Sequence, residues 1–110
     1  MKLYLDTSTP TTVLRLDDKE YTWESGRDLA ENLHAFLRDK LAENNASFED
    51  VSEIVFRSGP GSFTGLRIGA AVVNALASEL NVPLYDHMGN KVDFISPIYD
   101  RPANISAPRK

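Results

Sequence analysis

The stretch from residue 58 to residue 80 constrains this chain most. Ser58-Gly59-Pro60-Gly61-Ser62-Phe63-Thr64-Gly65-Leu66-Arg67-Ile68-Gly69 gathers glycines and hydroxyls between a strand pattern and a helix expected from about Gly65 to Leu80. In that helix Arg67, Asn74 and Ser78 form one narrow polar line with Glu79 beside it, and nearly all the rest is Ile, Val, Leu, Ala and Gly. A helix apolar around most of its circumference normally sits in the middle of a large core. The chain has 110 residues, which is one ordinary domain. In a core of that size one side of the helix packs on a sheet and a second on a neighbouring helix, and a third faces outward. Ala71, Ala75 and Ser78 are small, so a foreign helix can approach that third side closely, and a helix-on-helix association surface follows.

The remaining elements follow from periodicity. Leu3 and Leu5 alternate with Lys2, Tyr4 and Asp6, and Thr12 to Leu16 alternates again after the turn-rich Thr7-Ser8-Thr9-Pro10-Thr11. Glu20-Tyr21-Thr22-Trp23-Glu24 is a third strand, completing an antiparallel meander. Ser25 as N-cap with Asp28 as capping-box partner predicts a helix, along which Leu29, Leu33, Phe36, Leu37 and Leu41 form one apolar stripe that Asn44-Asn45 ends. Ser47 to Asp50 reads as a short helical turn, Glu53 to Arg57 as a strand, and Val82-Pro83-Leu84-Tyr85 as a fifth short strand. The order β-β-β-α-β-α-β gives a mixed sheet with both helices on one face. That is an α/β fold, a single ribonuclease-H-like lobe of the actin-like ATPase kind. Leu3, Leu5, Leu14, Leu16, Ile54 and Phe56 are expected to meet the helices. Tyr4, Val13, Arg15, Val55, Arg57 and Tyr85 are expected on the opposite face, where only Phe94, Ile95, Ile98 and Tyr99 of the same chain stand ready to cover them.

Residues 1–87 are read as the lobe and residues 88–110 as a short connection with an extended tail. The last twenty residues hold four basic residues against two acidic ones, together with Pro97, Pro102 and Pro108, while the chain as a whole carries −4. There are no cysteines, which excludes disulfide scaffolds and thiolate chemistry. No apolar run is long enough to span a bilayer, and Asp6 interrupts any leader-like start, so the chain reads as cytoplasmic and free of membranes.

Several motifs fail the tests for chemistry. The glycine loop lies where backbone amides cradle phosphate. A P-loop, however, needs Gly-Lys followed by Ser or Thr, and here Gly65 precedes Leu66-Arg67. The dinucleotide fingerprint needs a glycine where Thr64 stands. The structural alternative is that Gly65 and Gly69 allow close helix packing. Asp6 ends the first strand where ribonuclease-H-like nucleases hold a metal, but no second acid sits well on the fourth strand, and a strand-ending Asp commonly bonds its own turn. His34 and His87 form no metal pair. Ser62, His87 and Asp86 lack a nucleophile elbow around the serine. No cofactor is expected.

Residues 59–69, Gly59-Pro60-Gly61-Ser62-Phe63-Thr64-Gly65-Leu66-Arg67-Ile68-Gly69, closely resemble the signature of the TsaB/YeaZ family of tRNA threonylcarbamoyladenosine biosynthesis proteins. Leu5-Asp6-Thr7-Ser8-Thr9 and the segment from Leu29 to Tyr85 fit that family's first lobe, and Pro97-Ile98-Tyr99-Asp100-Arg101-Pro102 is similar to its terminal segment. The resemblance implies a shortened form without the family's second lobe, which otherwise stands between those parts. Gly26-Arg27-Asp28 stands where the family usually has a His-Ser or His-Thr pair, so the role of that pair does not carry over.

The resemblance further implies a non-catalytic subunit that supports a TsaD-like catalytic subunit, with a TsaE-like ATPase in the larger assembly and tRNA met only indirectly. The first two helices would form the contact, and Leu33, Leu37, Leu41, Arg67, Ala71, Asn74, Ala75 and Ser78 are placed near it, with Arg67 bonding across it or bracing the Gly59–Gly65 loop. A homodimer through the same helices is the expected alternative when the partner is absent. A lobe without its second half offers half a nucleotide pocket, so no tight nucleotide binding is expected. Two other readings remain open: a minimal metal-dependent nuclease or phosphatase using Asp6, and a tRNA-binding module using Arg101, Arg109 and Lys110.

Overall fold

The structure is a computed structural model and describes residues 1–96. In chain order it contains β1 (Lys2–Asp6), β2 (Thr11–Leu16), β3 (Lys19–Glu24), α1 (Leu29–Glu43), β4 (Glu53–Phe56), α2 (Phe63–Leu80), β5 (Leu84–Asp86) and β6 (Lys91–Val92). All six strands form one sheet in the order β3-β2-β1-β4-β5-β6. The outer pairs are antiparallel, whereas β1, β4 and β5 run parallel. The two helices make the crossovers that parallel neighbours require.

Alternation along each strand sorts the side chains as expected. Leu3, Leu5, Leu14, Ile54 and Phe56 are fully buried, and they share one core with Leu29, Leu33, Leu37 and Leu41 of α1 and Leu66, Ala70, Val73, Leu76 and Ala77 of α2. Both helices therefore cover the same face of the sheet. On the opposite face Tyr4, Val13, Val55, Arg57 and Tyr85 are half-buried and Arg15 is exposed. The Arg15 guanidinium lies 4.5 Å from the centre of the Tyr4 ring and pairs with Glu20 at 2.9 Å.

Three expectations are corrected. Ser25 does not cap a helix. Its hydroxyl bonds Thr12 at 2.8 Å and the Pro10 carbonyl at 3.1 Å, and a 3₁₀ turn at Gly26–Asp28 leads into α1 instead. The sheet has a sixth strand, β6, folded back on β5 through a turn held by Asp86. The edge of the packed body is therefore not at residue 87. Beyond β6 the chain crosses to the helical side, where Ile95 is only 3% exposed and joins the common core. It does not cover the open face of the sheet. Ile98 and Tyr99, and the basic tail residues Arg101, Arg109 and Lys110, lie outside the described residues.

Local chemistry sets the helix ends. The Ser62 hydroxyl accepts a bond from the Gly65 amide at the start of α2, and Asn81 closes the helix in a left-handed conformation with its amide on the Ala77 carbonyl. Asn44 ends α1, its side chain donating to the Lys40 carbonyl and the Tyr21 hydroxyl.

Candidate partner interface

The glycine loop is a packing device. A Cβ on Gly61 would come within 2.6 Å of both the Cβ and the carbonyl oxygen of Ser8. One on Gly65 would strike the Thr7 carbonyl, and one on Gly69 the Thr7 hydroxyl and the Phe56 ring. These three positions, each four residues apart, let the start of α2 lie directly on the turn after β1. The contact is sealed by hydrogen bonds: Thr7 Oγ1 donates to the Gly65 carbonyl at 2.7 Å and the Ser62 amide donates to the Ser8 carbonyl at 2.8 Å. The amides of Ser62, Gly65 and Leu66 are thus engaged within the protein. Gly59, at φ +125°, opens the loop in a conformation that favours glycine.

The loop is also tied to the β5–β6 turn. The buried Ser58 donates its amide to His87 Nδ1 at 3.2 Å, and its hydroxyl lies 3.3 Å from the same nitrogen. That nitrogen accepts the Ser58 amide, which ties the loop to the turn. Asp86 is occupied elsewhere. Its carboxylate accepts from the Met88 and Asn90 amides at 2.9 Å and from the Asn90 side chain at 3.1 Å. Asn90 is the chief reason that this carboxyl group titrates below its ordinary range. Ser62, His87 and Asp86 are not assembled into a triad.

Asp6 is likewise absorbed by its own turn, with its carboxylate accepting from the Ser8 amide at 2.8 Å and from the Ser8 hydroxyl. Among the described residues no group of three or more His, Asp and Glu side chains is placed to hold a metal ion. No helix of those residues is long and apolar enough to cross a membrane.

The helical layer divides the expected contact residues into two sets. Leu33, Leu37 and Leu41 are fully buried under α1 and reach no outer surface. Their period marks the face of the helix that meets the sheet, so placing them at a docking surface is corrected. On α2, Thr64, Arg67, Ala71, Ala75 and Ser78 are exposed and recur every three or four residues, forming one outward row. Arg67 is the one charge in that row. Its guanidinium lies 5.4 Å from the centre of the Phe63 ring, so it braces the first turn of its own helix. A shallow groove of about 300 Å³, lined by Thr64, Arg67, Ile68 and Ala71, runs beside the row. By contrast, the outward surface of α1 carries Glu31, His34, Arg38, Asp39 and Glu43.

Asn74 is half-buried and already partnered. Its side-chain carbonyl accepts from the Ile95 amide at 2.6 Å and its Nδ2 donates to the Ile95 carbonyl at 3.2 Å. Sequence reasoning missed this pairing. The available signal was a lone amide on an otherwise apolar helix, which must find a partner once the flank of that helix is covered.

Comparison with known proteins agrees with this architecture. The family described as "TsaD: tRNA N6-adenosine threonylcarbamoyltransferase" matches residues 23–87, from the end of β3 through both helices to the end of β5. The tRNA threonylcarbamoyladenosine biosynthesis protein TsaB of Escherichia coli is 31% identical over 58 residues, which cover 53% of this chain and 25% of that protein. An uncharacterized protein of Mycobacterium bovis is 33% identical over 90 residues, covering 76% of this chain and 43% of its own length. The structure of YeaZ from Pseudomonas aeruginosa superposes with a TM-score of 0.68 at 35% identity, over 77% of this chain and 42% of that one. The chain thus matches less than half the length of these relatives. With the family match spanning both helices and the glycine loop, and with TsaB and YeaZ proteins among its relatives in sequence and in structure, the chain belongs to the TsaD and TsaB/YeaZ family.

Proposed function

We propose that this chain is a non-catalytic subunit in tRNA threonylcarbamoyladenosine biosynthesis, docking through the outward row of α2 on a TsaD-like catalytic subunit. The carrying observation is that row itself: Thr64, Ala71, Ala75 and Ser78 give a nearly uncharged, low-relief stripe on a helix that is apolar elsewhere. Helices pack with axes 8–10 Å apart when their contact residues allow it, and alanine and serine allow the close end of that range. A TsaE-like ATPase completes the assembly in this reading, and tRNA is met only through it. The non-catalytic assignment is supported by Asp6, Asp86 and His87, whose side chains are each satisfied within their own turns or by the glycine loop.

The test is co-purification with the TsaD-like protein of the same organism, using the parent chain and Ala75→Arg. Ala75 is exposed, so the substitution leaves the melting temperature near that of the parent while a long charged side chain holds the helices apart. Loss of association is the expected result. Association at parental strength would overturn the proposed contact. Where the chain pairs with a second copy in the absence of the partner, the same substitution is expected to give a monomer by light scattering.

A further inference from the structure

Residues 93–96 follow β6 as a strap along the flank of α2. A cleft of about 420 Å³ at the C-terminal end of the helix is lined by Ala77 and Ser78 on one side and by Val92 and Asp93 on the other. One turn back along the helix from Ser78, Asn74 accepts from the Ile95 amide at 2.6 Å and donates to the Ile95 carbonyl at 3.2 Å. The Ile95 side chain is sunk in the core, while Phe94 before it is exposed. From Asp93 to Ile95 the chain thus moves from the level of Ser78 back to that of Asn74, antiparallel to α2. A bond at both the amide and the carbonyl fixes its heading as well as its position.

Fourteen residues follow Ser96 and lie outside the described residues, and they begin Pro97-Ile98-Tyr99-Asp100-Arg101-Pro102. Proline fixes its own φ and biases the residue before it toward extended backbone, so Pro97 and Pro102 favour an extended path from Ser96 to Arg101. An extended chain on the heading set at Asn74 brings Tyr99 about 13 Å beyond Ile95, on the same side as the buried Ile95 because side chains alternate. Arg67 and Ile68 lie about 9–10 Å back from Asn74 along the helix, and the length of the tyrosine side chain spans the difference. At that level runs the groove of about 300 Å³ lined by Thr64, Arg67, Ile68 and Ala71. Arg67 has no ion pair among the described residues, and the one acid in residues 97–110, Asp100, stands next to Tyr99.

We propose that residues 97–101 lie back on α2 with Tyr99 in this groove, so that the chain's own tail covers the N-terminal half of the outward row. The fixed point at Ile95 makes the contact intramolecular, and a short tether gives an effective concentration in the millimolar range. A contact too weak to hold a free peptide therefore suffices. Asn74 is the positioning residue that keeps the tail on its heading. Resting at this one point on the docking reading above, the tail is an internal competitor that a TsaD-like partner displaces to reach Ala71.

The chain has no cysteine, so a single introduced thiol reports the exposure of its site. In the full chain the thiol of Ala71→Cys is expected to react with a small alkylating reagent about tenfold faster when Tyr99→Ala is also present, as for any site released from a local contact. Asn74→Ala is expected to speed the same reaction, whereas Glu31→Cys, on the exposed side of α1, is expected to react alike in all backgrounds. Equal rates at Ala71→Cys with and without Tyr99→Ala would overturn the tail contact. Protection that fades on dilution would put a second copy on the row and overturn it as well. Calorimetry with the TsaD-like subunit separates this proposal from the docking reading. Tyr99→Ala is expected to tighten the complex and Ala75→Arg to abolish it. A protected thiol with parental affinity for both variants would leave the tail contact standing and overturn the docking face. An unprotected thiol with binding lost in Ala75→Arg would overturn the tail contact and leave the docking face standing.

Discussion

At Gly69 a single missing carbon decides how closely α2 approaches β1. A Cβ there would meet the Thr7 hydroxyl, which is held by the Gly65 carbonyl, and the fully buried Phe56 ring, so neither neighbour can give way freely. Alanine is the better helix former by about 1 kcal/mol, yet forced overpacking costs about 1–3 kcal/mol and two neighbours are involved. Gly69→Ala is therefore expected to lower stability by about 1 kcal/mol net, and urea denaturation showing parental stability would contradict the packing account. Tyr4 gives a second residue-scale prediction. Burial first, and the Asp6 charge next, raise its pKa above the ordinary value of 10.0. The folded state then holds this proton more tightly than the unfolded chain, so the contribution is fully present below pH 10 and is lost as pH climbs through the folded pKa. Denaturation between pH 9 and 11 is expected to show a steeper decline for the parent than for Tyr4→Phe.

At the scale of elements, periodicity made five strands and both helices legible, because a half-buried strand and an amphipathic helix must show their buried positions at fixed spacing. What it left unread is equally physical. The pair Lys91–Val92 is too short to display a period, so β6 emerges only from the turn that Asp86 holds together. The leucines of α1 were legible as buried but not as to what buries them, since a stripe has the same pattern under a sheet and under a partner. Ser25 carried a cap signature but found a better use in joining Thr12 to the Pro10 carbonyl. The glycine loop was legible as a packing motif, while its dependence on Thr7 and Ser8, some fifty residues earlier, required the fold. Two predictions belong here. Ile95→Ala is expected to destabilise the lobe by about 3 kcal/mol, as for other large-to-small changes in a core, with a cooperative melt as the readout. Asp86→Ala is expected to release the β5–β6 turn and speed amide exchange at Asn90. The same loosening is expected in acid, because this carboxyl group has a lowered pKa and its contribution disappears as pH falls through that value.

At the scale of the whole molecule the described residues form one sheet with both helices on one face, and the end of β1 is closed against α2 by the Thr7–Gly65 and Ser8–Ser62 bonds. Of the amides at this helix start, that of Ser62 is spent on the closure, and those of Gly65 and Leu66 bond the Ser62 hydroxyl and carbonyl. Titration of the chain with magnesium ATP in a calorimeter is accordingly expected to show no micromolar affinity, and a saturable micromolar isotherm would refute this. The sheet order also has a consequence in time. The first three strands are joined by tight local turns, but the parallel neighbour of β1 is β4, and the amino group of Met1 reaches a Ser52 hydroxyl 51 residues away. Closing that long loop is entropically costly until α1 has formed and shortened it. The meander and α1 are therefore expected to be structured in the folding transition state, and the arrival of β4 beside β1 to be the step that commits the chain.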